Sequence, residues 1–299
     1  MYLSYSGFSV FRQCARAYYY RYIGKPKLPE PGNRVHMLYG DVVGKLFEKY
    51  YEDRIWTKRN AALHMLDLVR PVLNKVVVQE IRRGGVFDWN EPGLKPGSRS
   101  IEEVEQEVRE TIPRGIRGIK AHRLMGVEAH AEVVLNTSVR GHTLAGRADF
   151  IIRRIKPHND LVLLDGKGSR WRDRYTDERQ LRWYAMLYQM KKGVVPDRLA
   201  FLYWRFEPKE CLDWVDATQK QLDDLKNAAL EAIGKIEGAK RKLRGSEPGV
   251  CFLASPGSNC RLCDFQAVCP EGTRVLSDNT KTQILEDRNR GVEEGEVSF

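Results

Sequence analysis

Asp160-Leu-Val-Leu-Leu-Asp165-Gly-Lys167 is the stretch whose reading decides the fold. Four consecutive aliphatic residues are too few for a buried helix, and they match a short strand covered on both faces. Side chains two apart in a strand share a face, so Asp165 and Lys167 point the same way. Upstream, residues 129–139 alternate apolar and polar. Arg140-Gly141 makes a turn, and 143–155 returns as a second strand carrying Gly146-Arg-Ala-Asp149. Asp149 falls near the middle of that neighbour, where it can lie beside Asp165. Downstream, residues 176–192 form a helix opened by Thr176 or Asp177. It is followed by strands at 199–206 and 211–215 and a long helix at about 217–243. Mixed strands flanked by helices give an α/β core.

Before the strands the chain is helical. Residues 4–23 read as an aromatic helix with Ser4 or Ser6 as N-cap. A second helix at about 37–53 carries Val42, Val43, Leu46, Phe47 and Tyr50 on one broad apolar face. Residues 59–84 and 101–125 read as helices around a Pro/Gly/Ser-rich loop at 91–100, a helical insertion ahead of the sheet. After the last helix come a Gly/Pro-rich cysteine loop and a polar, acidic tail expected to be disordered. The expected organisation is N-terminal helices at 1–58, the insertion at 59–126, the core at 127–245, the cysteine loop at 246–279 and the tail at 280–299.

The 299 residues carry a net charge of +10, with thirteen Tyr and six Trp. A basic, aromatic-rich chain suits a polyanionic partner, because cations neutralise phosphates and aromatics stack on bases. No apolar run approaches the ~20 residues that span a bilayer. The N-terminus lacks the basic segment and apolar core of a signal peptide. A soluble, cytoplasmic protein without membrane association is expected. Six cysteines there argue for metal ligation before disulfides.

Two neighbouring carboxylates, Asp149 and Asp165, make a site for a hard divalent cation such as magnesium or manganese. Such a cation polarises a phosphodiester and offsets charge in the transition state. Lys167 can orient water and offset phosphate charge. In Gln180-Leu-Arg-Trp-Tyr184, Gln180 and Tyr184 stand one helical turn apart and share a face. Among the basic stretches, Arg170, Trp171, Arg172 and Arg174 border this site and are its candidate nucleic-acid contacts. Arg114, Arg117, Lys120 and Arg123, like residues 240–244, read as solvated faces. No base-reading motif is present, so binding is expected to be largely independent of sequence.

In this order and spacing the motifs resemble the PD-(D/E)XK nuclease superfamily, in particular its RecB-type branch. That branch includes nuclease domains of bacterial recombination helicase–nucleases, AddB-type nucleases and the iron–sulfur nucleases of CRISPR adaptation. The resemblance implies a restriction-endonuclease-like core, with a mixed central sheet flanked by helices, and metal-dependent phosphodiester hydrolysis. It makes Asp149 and Asp165 ligands of magnesium or manganese, with the Gly166 carbonyl as a third. Lys167 becomes the catalytic lysine, and Gln180 and Tyr184 match the Q-x3-Y motif. The branch carries a metal-binding His in a G-x3-H motif; here Gly40-Asp-Val-Val-Gly44 places Gly44 at that position. Glu48, one turn on, is the candidate replacement ligand.

Cys260-Arg-Leu-Cys263 and Cys269 form a C-x2-C-x5-C loop, and a fourth thiolate closes such a site. By the same resemblance that fourth ligand is Cys14. The four would bind a 4Fe–4S cluster clamping the N- and C-terminal regions, with structural zinc as the alternative. Cys211 and Cys251 read as ordinary buried thiols. The activity implied is a DNA exonuclease acting on ends or single strands, partnered with proteins of repair, recombination or CRISPR adaptation. The alternative is a catalytically weak DNA-end-binding or scaffold subunit, favoured by Gly44.

Overall fold

In the computed structural model the described residues are 1–27, 34–89, 100–172 and 176–275. The aliphatic run becomes a strand, Leu161–Lys167, in the centre of a five-stranded sheet. In chain order the strands are β1 (Tyr2–Ser4), β2 (Gly126–Val134), β3 (Thr137–Val139), β4 (His142–Ala145), β5 (Arg147–Arg154), β6 (Leu161–Lys167), β7 (Arg198–Tyr203) and β8 (Leu212–Val215). The large sheet has the order β2-β5-β6-β7-β8, antiparallel except for the parallel pair β6 and β7. A parallel pair needs a crossover, and the helix Glu178–Lys192 supplies it.

The α-helices among the described residues are α1 (Tyr5–Gln13), α2 (Ala15–Tyr19), α3 (Val35–Glu52), α4 (Ala61–Asp67), α5 (Val69–Arg82), α6 (Ile101–Ala121), α7 (Glu178–Lys192), α8 (Gln219–Lys242) and α9 (Pro248–Cys251). A capping box opens α6: Ser100 Oγ accepts from Glu103 N while the Glu103 carboxylate accepts from Ser100 N. Leu46, Phe47, Tyr50 and Tyr51 of α3 pack with Val108 and Ile112 of α6 and with Phe150, Val162 and Leu164 of the sheet. The helices of the expected insertion therefore share one core with β5 and β6. This mixed α/β architecture, helices flanking mixed sheets, fits a restriction-endonuclease-like fold.

Three expectations are corrected. Residues 4–23 are not one helix. Tyr2–Ser4 pair in parallel with Thr143–Ala145, and Cys14, at φ −160° and ψ 113°, separates α1 from α2. Residues 59–84 form two helices that meet at Leu68. The long hairpin also divides. β3 and β4 join β1 in a separate three-stranded sheet, while β2 and β5 belong to the large one. The handover lies where Leu135 N donates to Gly146 O, at 2.8 Å. A Cβ on Gly146 would sit 2.9 Å from Leu187 and from Tyr184, so α7 packs directly on backbone there.

The chain divides into two compact units, Met1–Tyr5 with Pro31–Ala228, and Ser6–Glu30 with Ala229–Phe299. Within the second, the buried Arg16 donates from Nε to Phe252 O and from Nη2 to Gly249 O, at 2.7 and 2.9 Å. Tyr18 and Tyr19 pack against Phe252, and Tyr20 against Phe265. The acidic tail lies outside the described residues. Among those described, no helix is long and apolar enough to cross a membrane.

Candidate active site

The central strands bring the predicted residues together. Phe150 pairs with Leu164, so one step further along the antiparallel register Asp149 stands opposite Asp165. Asp149 Oδ2 accepts from Gly166 N at 2.8 Å, and Asp165, 3% exposed, forms an ion pair with Lys167 Nζ at 2.5 Å. Lys167 Nζ donates to Gln180 Oε1 at 3.2 Å, and Gln180 Nε2 donates to Tyr184 OH at 3.0 Å. The strand pair and the first turns of α7 thus form one polar chain from Asp165 to Tyr184. α7 begins at an Asp177 N-cap, whose side chain accepts from Arg179 N.

The electrostatics follow from burial of like charges. Desolvation, joined by the charge of Asp165, pushes the Asp149 carboxyl up to about 8, against the Gly166 N–H and Lys167. Burial raises the Asp165 carboxyl too, with Lys167 opposing. Tyr184 is raised by burial and then by Asp165.

A cleft of about 940 Å3 opens over these strands, lined by Asp149, Gly166, Lys167, Glu48, Glu132 and Arg147 among others. Gly44 lines it as well, and a Cβ there would meet nothing within 4 Å. Glu48 faces the cleft from α3 with its carboxylate 2.6 and 2.7 Å from Lys45 Nζ; burial raises its carboxyl, against Lys45. Among the described residues no three His, Cys, Asp or Glu side chains gather closely enough to hold a metal ion. The reason is local. Glu48 is drawn to Lys45, Glu132 to Arg147, Asp165 to Lys167 and Asp149 to the Gly166 N–H. Even so, Asp149 and Asp165 are both buried carboxylates whose charges oppose one another, and a cation between them would relieve that repulsion. The all-oxygen donor set also matches a hard divalent cation.

The candidate nucleic-acid contacts separate. Trp171 is 59% exposed beside the cleft, and Arg170 pairs with Glu107 at 3.0 Å. Arg172 is engaged in the fold: it binds Asp213 at 2.8 Å, donates to Glu210 O and lies over the Phe206 ring. Arg174 lies outside the described residues. The sequence reading missed Arg205. It covers the Tyr39 ring at 3.4 Å, donates from Nε to Gly168 O at 2.6 Å and pairs with Glu107. Glu132 and Arg147 were missed as well; their place opposite Asp149 and beside Gly146 was the available signal.

Cys14, Cys260, Cys263 and Cys269 line one cavity of about 220 Å3 in the second unit. The expected closed cluster is not assembled there. Cys14 Sγ accepts from Ser255 N at 3.4 Å, and Cys269 Sγ donates to the Glu271 carboxylate at 3.5 Å. The Cys263 thiol is raised by burial, with smaller contributions from Cys14 and Cys260. Cys211 is buried, which pushes its thiol up to about 11, whereas Cys251 is half-buried.

The family model of the PD-(D/E)XK nuclease superfamily matches residues 2–270. No curated protein matches the chain. Among solved structures, the protein SSO0001 is 17% identical over 57% of this chain and 76% of its own, with a TM-score of 0.30. A candidate exonuclease from Eubacterium rectale is 14% identical over 79% of each chain, with a TM-score of 0.42. Protein VC1899 from Vibrio cholerae is 10% identical over 77% of this chain and 52% of its own, with a TM-score of 0.22.

Proposed function

Because the chain belongs to the PD-(D/E)XK nuclease superfamily, we propose that it is a magnesium- or manganese-dependent deoxyribonuclease acting on DNA ends or single strands. The observation that carries this reading is the placement of Asp149 opposite Asp165 with Lys167 on the same strand face. In it Asp149, Asp165 and the Gly166 carbonyl hold the cation, with Glu48 approaching from α3. Once bound, the cation polarises the scissile phosphodiester and offsets the charge that develops. Lys167 presents its ammonium to a phosphate oxygen or to the attacking water, and Gln180, backed by Tyr184, sets its direction. Trp171 and Arg170 at the cleft offer a stacking face and a phosphate contact that read no base sequence. The preference for ends or single strands comes from the likeness to the iron–sulfur nucleases of the RecB-type branch.

In the second unit the four cysteines are the ligands of a 4Fe–4S cluster, with zinc as the alternative. Their common cavity supports that reading. The cluster's part is structural: it ties residue 14 to the 260–269 loop and removes closure entropy. Protein partners belong to a repair, recombination or CRISPR-adaptation system.

Purified protein should cleave labelled single- or double-stranded DNA in manganese, and Asp165→Ala and Lys167→Ala should each lose cleavage by about 100-fold or more. No cleavage by wild type, or equal cleavage by the variants, overturns the nuclease reading and leaves the end-binding scaffold that Gly44 favours. Iron and acid-labile sulfide that disappear in Cys263→Ala establish the cluster; a colourless, zinc-loaded protein refutes it.

A further inference from the structure

Glu132 was not among the residues that the sequence motifs singled out. The pairs Ala131 with Phe150 and Val133 with Ala148 bracket it at the level of Asp149, and Glu132 itself takes a left-handed φ of 50° between them. Asp149 is in turn opposite Asp165. Three adjacent strands, β2, β5 and β6, therefore carry three carboxylates in one row across the sheet. Directly opposed residues have Cβ atoms about 5 Å apart, and like charges so placed repel. The chain offsets that repulsion only in part. Arg147 Nε meets Glu132 Oε2 at 2.7 Å, and Lys167 meets Asp165 at 2.5 Å. Asp149 has the Gly166 N–H. Asp165 is 97% buried, with the Lys167 ammonium against its Oδ2. Glu132, Asp149 and Glu48 line the same cleft.

We propose that Glu132 is a further carboxylate ligand of the divalent cation, held by Arg147 until the cation arrives. Arg147 is its counter-ion in the cation-free protein, and on release it faces the cleft as a contact for the phosphate backbone. This inference rests on the metal-dependent reading above and extends its ligand set to β2.

The test is manganese binding to the full-length protein without DNA, followed by electron paramagnetic resonance of free Mn2+ and by calorimetry. Glu132→Gln should weaken binding by about tenfold or more, and Glu132→Asp should recover part of it. Arg147→Ala removes the competing cation and should leave binding unchanged or tighter. A wild-type protein that takes no manganese overturns the metal-dependent reading itself. A wild-type protein that binds while Glu132→Gln binds equally well overturns only the role of Glu132. If Glu132→Gln does not fold by circular dichroism, Arg147→Ala decides: weaker manganese binding by that variant overturns the proposal.

Discussion

Two residues outside the Asp165–Lys167–Gln180–Tyr184 chain make the physics of single side chains testable. Arg154 is buried, and it gives Nε and Nη2 to the two carboxylate oxygens of Asp160 at 2.6 Å each and Nη1 to His122 O at 3.1 Å. These bonds hold the Asp160 carboxyl below its ordinary value. A depressed carboxyl contributes stability that is complete above its unfolded pKa of about 3.9 and is lost as pH falls through the folded value. Acid titration of the urea midpoint should therefore show a steeper loss below about pH 4 in wild type than in Asp160→Asn. At neutral pH Arg154→Ala should cost about 1–3 kcal/mol, since it removes two hydrogen bonds from the Asp160 carboxylate and leaves Arg198, at 3.2 Å, as its partner. Gly44 is the opposite case. It lies inside α3 with open space at its Cβ, so Gly44→Ala should add about 1 kcal/mol to stability. An unchanged or lowered urea midpoint would show that the open space is needed.

At the scale of elements, two close approaches explain why strand and helix meet where they do. A Cβ on Gly168, just past β6, would stand 2.8 Å from the Cα of Gly40 in α3. The atom in the way is backbone, which cannot swing aside, so Gly168→Ala should separate α3 from the strand that bears Lys167. Gly146→Ala presses on Tyr184 and Leu187 instead. It should cost about 1–3 kcal/mol as an overpacking change and should disturb the Tyr184–Gln180–Lys167 chain. Thermal melts read the stability, and cleavage rates at matched folded fraction read the site. These elements also show what the sequence made legible. β6 was readable because an aliphatic run ending in Asp-x-Lys has both a length and a facing direction. Asp149 followed from it through antiparallel pairing. β1 was not readable: three residues carry no period, and only pairing with β4 makes them a strand. Nor was the division of the hairpin between two sheets, because the alternation continues across Leu135 while Gly146 alone marks the change. Arg205 was hidden for a related reason, since its partners Tyr39, Gly168 and Glu107 are scattered along the chain and meet only in the fold.

At the scale of the whole molecule, segments far apart in sequence close on one another within the second unit. The second unit is built from residues 6–30 and 229 onward, so its interior depends on contacts closed across most of the sequence. Arg16 makes several of them: 7% exposed, it donates to the carbonyls of Gly249 and Phe252, pairs with Glu271 at 3.6 Å, and its own N donates to Leu253 O. The same segment carries Cys14, two residues earlier, to the cavity of the C-terminal cysteines. Arg16 closes this long loop through hydrogen bonds, and the proposed cluster would close the same loop through its thiolates. Loop closure is cooperative in that sense: once one link is made, the second adds no further closure cost. Arg16→Ala leaves the buried Phe252 carbonyl without its Arg16 donor, worth about 1–3 kcal/mol, and removes a half-buried bond to Gly249 O. Amide hydrogen exchange should consequently accelerate across residues 14–24 and 249–253, while β5 and β6 keep their protection. With the cluster loaded, the acceleration should be smaller than in a Cys263→Ala background. Equal acceleration in the two backgrounds would show that the cysteines contribute nothing to closing the loop.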